Sequence, residues 1–175
     1  MEVFSDKRLV KREPVNAHKV LERVRLMAKS GFAKNINFIE RYDPSLPLID
    51  GDHDQLIQIF LNLIKNAAES IDHDNGEIVM KTSYQHSIKF ALPGERSQFH
   101  LPLVISIEDN GVGVPQSLSE LVFDAFVTSK SNGTGLGLAL VAKLIDDHGG
   151  VIEFESEPGR TIFKVLLPMY ETKNA

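Results

Sequence analysis

Two stretches of this 175-residue chain have residue types and spacing that suggest chemistry: Asp109-Asn110-Gly111-Val112-Gly113 and Gly133-Thr134-Gly135-Leu136-Gly137-Leu138. Asp109 closes an apolar run and opens a glycine turn. A carboxylate there can accept a hydrogen bond from the exocyclic amine of adenine. Guanine presents a carbonyl at that place, and two opposed acceptors cost roughly 2–4 kcal/mol in a buried pocket. Gly133, Gly135 and Gly137 open an amphipathic helix, where close backbone approach and unpaired amides attract phosphate. Each stretch also has an ordinary explanation, since Asp-Asn-Gly is a common turn sequence. A dinucleotide-binding unit is excluded, because its glycines directly follow a strand.

A third group supports the pair. Asn62 and Asn66 lie four residues apart and share one helix face, extended by Gln58 and Glu69. An asparagine carbonyl is a neutral, hard oxygen suited to Mg²⁺ between phosphates. Asparagine is also a poor helix former, so two on one face call for a reason beyond solvent exposure. Residues 110–134 show little periodicity, and long structureless segments in compact domains are usually functional lids. In that segment Thr128 and Lys130 are candidate contacts to terminal phosphates. Phe123 and Phe126 are candidates to anchor the lid and close it over a nucleotide.

The elements that must position these residues are readable from periodicity. Asn16 caps a helix whose Val20, Leu21, Val24 and Met27 recur at helical spacing, and Ser30-Gly31 ends it. Residues 35–42 alternate as a strand, and a short extended piece follows Pro44 and Pro47. Asp52 or Asp54 caps the central helix, whose apolar stripe is Leu56, Ile59, Phe60, Leu63, Ala67 and Ile71. Strands are expected over 77–84 and 103–108, separated by a polar hairpin segment. A last helix over 136–148 turns Leu140, Val141, Leu144 and Ile145 inward, and a hairpin of strands 151–156 and 161–167 closes the chain. His148 reads as a C-terminal cap favoured by the helix dipole. Only a short edge strand near Leu9 to Arg12 fits the charged start. Strands and helices do not alternate strictly, so the expected fold is an α/β sandwich: a mixed sheet with helices on one face.

Composition sets the outer limits. Apolar residues make up 42% and charged residues 25%, ordinary for a globular domain large enough to bury a core. A formal charge of −5 leaves no strongly basic patch for nucleic acid. The chain has no cysteine, which removes disulfides, thiolate nucleophiles and thiolate metal sites. No apolar run approaches the roughly 20 residues of a membrane span, and the first residues lack a signal-peptide pattern. A cytoplasmic location, with no membrane or nucleic-acid partner, is the expectation.

Taken in order, four blocks make the chain resemble the catalytic ATP-binding domain of sensor histidine kinases. That fold is shared with DNA gyrase B, the heat-shock chaperone of the ninety-kilodalton class and the MutL mismatch-repair ATPases. The blocks are the N box Asn62-Leu63-Ile64-Lys65-Asn66-Ala67, the first glycine box from Asp109 to Gly113, the F box Phe123-Asp124-Ala125-Phe126, and the second glycine box from Gly133 to Leu138. Segments such as Tyr42-Asp43-Pro44-Ser45-Leu46-Pro47 and Phe126-Val127-Thr128-Ser129-Lys130 are similar to the nitrogen-regulation branch. Ala125 and Ser129 depart from the usual proline and second threonine.

The resemblance implies an α+β, two-layer sandwich of the GHKL (Bergerat) type. Its sheet is mixed and mostly antiparallel, about three helices cover one face, and a long ATP lid spans about 110–134. ATP and Mg²⁺ are the implied ligands. Asp109 would hold adenine, with Gly111 and Gly113 beside it. Asn66 would hold the metal next to Asn62, and Gly133, Thr134, Gly135, Leu136, Gly137 and Leu138 would bind phosphates. Lys65 is a candidate phosphate contact, and Glu69 stands where many relatives carry a basic residue. Gyrase-type ATPases place a water-activating glutamate where this chain has Asn62, which cannot act as a base. Phosphoryl transfer rather than hydrolysis is therefore implied.

None of the six histidines has the sequence context of a phosphoacceptor. The acceptor is thus expected on a dimerisation and phosphotransfer domain upstream. Residues 1–175 would form one catalytic domain with 1–14 as linker, a monomer alone and part of a homodimer in the full protein. The nitrogen-regulation branch implies an NtrC-type response regulator and a PII signalling protein as partners. A stand-alone serine kinase of the anti-sigma type is the alternative enzyme, and a non-catalytic nucleotide sensor or docking module the alternative from another class.

Overall fold

The computed structural model describes residues 9–86, 89–91, 98–113 and 136–172. Among them the elements run β1 (Glu13–Val15), α1 (Ala17–Lys29), β2 (Asn37–Arg41), β3 (Ile49–Gly51), α2 (His53–Ser70), β4 (Glu77–Tyr84), β5 (Lys89–Ala91), β6 (Gln98–His100), β7 (Leu103–Asp109), α3 (Leu136–Asp147), β8 (Val151–Glu157) and β9 (Arg160–Leu167). The main sheet has the order β2-β4-β7-β9-β8. Only the β2–β4 pair is parallel; β4–β7, β7–β9 and β9–β8 are antiparallel.

One face of this sheet is covered. Ile78 and Met80 of β4, Leu103, Ile105 and Ile107 of β7, and Phe163, Val165 and Leu167 of β9 alternate inward, as a strand's period of two dictates. They meet Val20, Leu21 and Val24 of α1, the buried stripe of α2, and Val141, Leu144 and Ile145 of α3 in one core. On the opposite face, among the described residues, Leu101, Val104 and Leu166 form a separate small cluster. The two-layer sandwich with helices on one face is therefore observed.

The caps follow their chemistry. Asn16 Oδ1 accepts from the amides of His18 at 2.9 Å and Lys19 at 3.2 Å, and Ser30 closes α1. Asp52, rather than Asp54, caps α2: its Oδ1 accepts from the amides of Asp54 and Gln55. The polar segment after β4 forms the small antiparallel hairpin β5–β6.

Two expectations need correction. The first strand lies at Glu13–Val15, beyond Leu9 to Arg12, and pairs with β3. The Lys11 amide is committed to Asp52 Oδ2 at 3.1 Å and the Arg12 guanidinium to Asp50 and Asp147. The ladder thus begins only after them. Pro14 is tolerated because β1 is an edge. His148 does cap α3, but not as a cation favoured by the dipole. It is fully buried, and its Nε2 accepts the Asp52 amide at 3.1 Å. The ring proton therefore sits on Nδ1, which donates to the Leu144 carbonyl at 2.8 Å. Burial holds its pKa below the ordinary 6.5.

His18 is a second such imidazole. It stacks on Tyr42 at 4.6 Å between ring centres, with Nε2 2.9 Å from Thr82 Oγ1, and burial lowers its pKa as well. Both rings resist protonation when folded, so the unfolded chain binds more protons just below pH 6.5. Stability must fall as pH drops through that value and level off below the two folded pKa values. Glu22 and Asp43, whose pKa values are depressed by hydrogen bonds from Arg25 and Ser45, add losses only at more acidic pH. Thermal melts between pH 8 and pH 5 should show a midpoint that is flat above pH 7 and declines through pH 6. A midpoint unchanged over that interval would refute the neutral assignment of both rings.

Candidate functional site

Helix α2 presents two faces because its sequence does. Leu56, Ile59, Phe60, Leu63, Ile64 and Ala67 are buried against the sheet and neighbouring helices. Asn62 and Asn66 lie half-buried at the edge of that stripe, while Gln58, Lys65 and Glu69 are exposed. Asn62 donates through Nδ2 to the Gln58 carbonyl at 2.9 Å, a bond to the preceding turn that fixes its amide. Its Oδ1 lies 3.7 Å from the point that a Cβ on Gly137 would occupy. The first turn of α3 is thus set against Asn62 with no side chain between them.

Asp109 ends β7, buried to 3% exposure, under the other end of α2. Its Oδ1 accepts from the Gly111 amide and lies against the Ser70 hydroxyl, both at 2.9 Å. Ser70 is the last residue of α2, and its carbonyl accepts the Val112 amide at 3.0 Å. A Cβ on Gly111 would lie 2.4 Å from that same carbonyl oxygen, so only glycine fits. Gly113 adopts φ +85°, and a Cβ there would meet the Glu157 carbonyl at 2.7 Å. The first glycine box is thus wedged between the end of α2 and the β8–β9 hairpin.

Ser70 was not singled out by motif, although it continues the four-residue spacing of Asn62 and Asn66. By helix rise, Asn66 sits about 6 Å and Asn62 about 12 Å back from Ser70 along α2. Asp109, Ser70, Asn66, Asn62 and Gly137 therefore follow one edge of the helix in that order. Asn110 has a different task. Its side chain bonds the Asn75 carbonyl and the Glu77 amide, both at 2.9 Å, locking the glycine box to the turn before β4.

These bonds, with that from the Val112 amide to the Ser70 carbonyl, hold Asn110 to Val112 in place. Phe123, Phe126, Thr128, Lys130, Gly133, Thr134 and Gly135 lie outside the described residues. Leu136, Gly137 and Leu138 form the start of α3, and exposed Lys65 lies one residue before Asn66. A crevice lined by Asp43, Ser45, Pro47, Tyr84 and His86 sits at the far end of β4. Asp109 pairs with Ile78 near the start of β4, so that crevice is remote from this row.

The donor set fits the ligands that the sequence suggests. A buried carboxylate with one oxygen fixed is suited to an adenine amine. Amide oxygens are hard donors, and Mg²⁺ takes only one or two protein ligands when phosphates complete its shell.

Comparison with known proteins agrees with the geometry. Residues 51–171 match the family described as "Histidine kinase-, DNA gyrase B-, and HSP90-like ATPase". A "Sensory histidine kinase/phosphatase NtrB" of Azospirillum brasilense is 64% identical over 98% of this chain and 43% of its own length. The protein of the same name from Rhizobium leguminosarum bv. phaseoli is 54% identical over 96% of this chain and 44% of its own. The chain thus spans less than half the length of these relatives. A mycobacterial sensor histidine kinase, MprB, has the same fold, with a TM-score of 0.72 and 25% identity over 92% of this chain and 99% of its own. No helix among the described residues is long and apolar enough to cross a membrane. Nearly the whole chain is similar to the sensory histidine kinases NtrB, and it belongs to the histidine kinase-, DNA gyrase B- and HSP90-like ATPase family.

Proposed function

We propose that this domain binds ATP with Mg²⁺ along the edge of α2 and transfers the γ-phosphoryl group to a histidine on a separate dimerisation domain. The observation that carries the reading is the single row Asp109, Ser70, Asn66, Asn62 and Gly137, which joins a buried carboxylate at one end to a side-chain-free helix start at the other. In this reading Asp109 accepts the adenine amine, its plane held by Ser70 and Gly111. Asn66 supplies an amide oxygen to the metal, with Asn62 beside it. When bound, Mg²⁺ supplies positive charge that offsets the charge on the β- and γ-phosphates.

The second glycine box, Gly133 to Leu138, receives phosphates with help from Lys65, Thr128 and Lys130. Phe123 and Phe126 close the lid and exclude water. Asn62 offers no base for water, so the γ-phosphoryl group passes to an imidazole nitrogen, leaving ADP. Positioning and charge neutralisation supply the catalysis.

Residues 1–175 act as one catalytic domain, monomeric alone, with the residues before Lys11 as linker to the acceptor domain of a homodimer. In this reading the full protein is a cytoplasmic nitrogen-regulation kinase that serves an NtrC-type response regulator and answers to a PII signalling protein; the relatives' printed name, sensory histidine kinase/phosphatase NtrB, supports its kinase part.

Labelled ATP, offered with a separately produced dimerisation domain, should place label on its histidine and yield a phosphoramidate that acid destroys. Acid-stable label on the serine of an anti-sigma antagonist, with none on histidine, would overturn the assignment. Calorimetry with ADP and Mg²⁺ tests the site itself. Asp109→Asn must keep an oxygen toward the Gly111 amide, so its NH₂ faces the adenine amine, and affinity should fall by about 2–4 kcal/mol. Asn66→Ala should weaken binding with Mg²⁺ present and leave binding in chelator unchanged. Equal binding by wild type and Asp109→Asn would remove the adenine assignment.

A further inference from the structure

Helices α2 and α3 run antiparallel, α3 lying along the N-terminal half of α2. At one end Gly137 lies against Asn62. At the other, His148 lies against Asp52. From Asn62 back to Asp52 is about 15 Å of helix, and from Gly137 on to His148 about 17 Å. The two stretches between these contacts are thus matched in length.

The Asp52–His148 end is built with more care than a helix terminus requires. The imidazole is fully buried and touches each helix through a different nitrogen. Nδ1 donates to the Leu144 carbonyl of α3, and Nε2 accepts the Asp52 amide at the cap of α2. The Leu144 carbonyl already accepts the His148 amide at 3.1 Å, so α3 would be capped without the ring. The Asp52 amide has a different status, because the ring nitrogen is its acceptor. The Asp52 carboxylate meanwhile caps α2 through Oδ1 and holds the Lys11 amide through Oδ2. Gly51 leaves room for the ring, since a Cβ there would come within 2.9 Å of His148 Cδ2. The contact therefore fixes where α3 sits on α2, beyond ending either helix.

We propose that His148 is a positioning residue for the nucleotide site: its bridge to the Asp52 amide sets the spacing of α2 and α3, and so the distance between Asn62 and the phosphate-binding start of α3. This rests on the nucleotide site proposed above. His148 touches neither nucleotide nor metal and acts through the helices alone.

Two substitutions separate bridging from capping. His148→Asn reproduces the Nδ1 side but is too short to reach Asp52. His148→Gln is long enough to present an oxygen to the Asp52 amide. Melting curves establish that each variant is folded at the temperature of measurement. ADP–Mg²⁺ affinity should then fall in His148→Asn by about tenfold, within the usual 5- to 150-fold span of coupling between sites, and return to within about twofold of wild type in His148→Gln. Folded His148→Asn with wild-type affinity would overturn the proposal, as would equal losses in both variants. If His148→Asn does not fold, Gly51→Ala, which crowds the same ring, takes its place with the same expected loss.

A second measurement needs no nucleotide. The chain has no cysteine, so a spin-label pair introduced at exposed Gln58 and Asp146 is unique. Its distance distribution should broaden or shift in His148→Asn and not in His148→Gln. An unchanged distribution in His148→Asn sinks the clip even if ADP binds. A changed one, with no ADP binding by the wild-type protein, sinks the nucleotide reading and leaves the clip.

Discussion

Two buried aspartates hold the ends of α2, and the rest of the molecule is arranged around that restraint. Asp52 turns one carboxylate oxygen to the first amides of the helix and the other to the incoming backbone at Lys11. Asp109, on a strand of the sheet, reaches the hydroxyl of the last helical residue. A helix held only by its apolar stripe could slide along the sheet at modest cost, because dispersion and apolar burial are not directional. Charge-assisted hydrogen bonds at both ends are directional and set its register. Once α2 is fixed in rotation and translation, the edge that carries Asn62, Asn66 and Ser70 has one place to be.

That restraint explains why the site contains so few residues with unusual chemistry. In the described part of the row the asparagines offer no base, and the Asp109 carboxylate is engaged by Ser70 and Gly111 at the end away from Asn62 and Gly137. Asn62 has its NH₂ committed to the preceding turn, and Ser70 lies against a carboxylate and a backbone carbonyl. Such a row is suited to holding a ligand and poorly suited to attacking one. On the proposed function this is what phosphoryl transfer needs, since the reactive atoms belong to ATP and to an acceptor on another domain.

Much of this was legible in the sequence, and the remainder had physical reasons to stay hidden. Helices α1, α2 and α3 were readable because their periodicity and capping residues are local. The asparagine pair and Asp109 were readable because their types are unusual for their positions. Ser70 escaped because a serine near a helix end is ordinary, and its partner lies 39 residues away in sequence. The neutral His148 escaped because its tautomer is dictated by an amide 96 residues upstream. A helix-dipole argument sees only the carbonyl end and assigns the opposite charge preference. The first strand was misplaced for a related reason: Lys11 and Arg12 looked available for pairing until their distant partners were known. Local signals found the elements; contacts between distant segments decided their last residues.

The borders of the sheet carry a separate consequence, for how the protein meets copies of itself. Among the described residues, strands β2 and β8 are its outer members, with no strand paired on their far sides. β8 alternates Glu153, Glu155 and Glu157 on its exposed face, and β2 ends in Glu40 and Arg41. A second β8 laid antiparallel against the first would bring glutamates opposite glutamates, an arrangement that opposes pairing. The acid stripe therefore works as a fence against sheet extension and fibre growth.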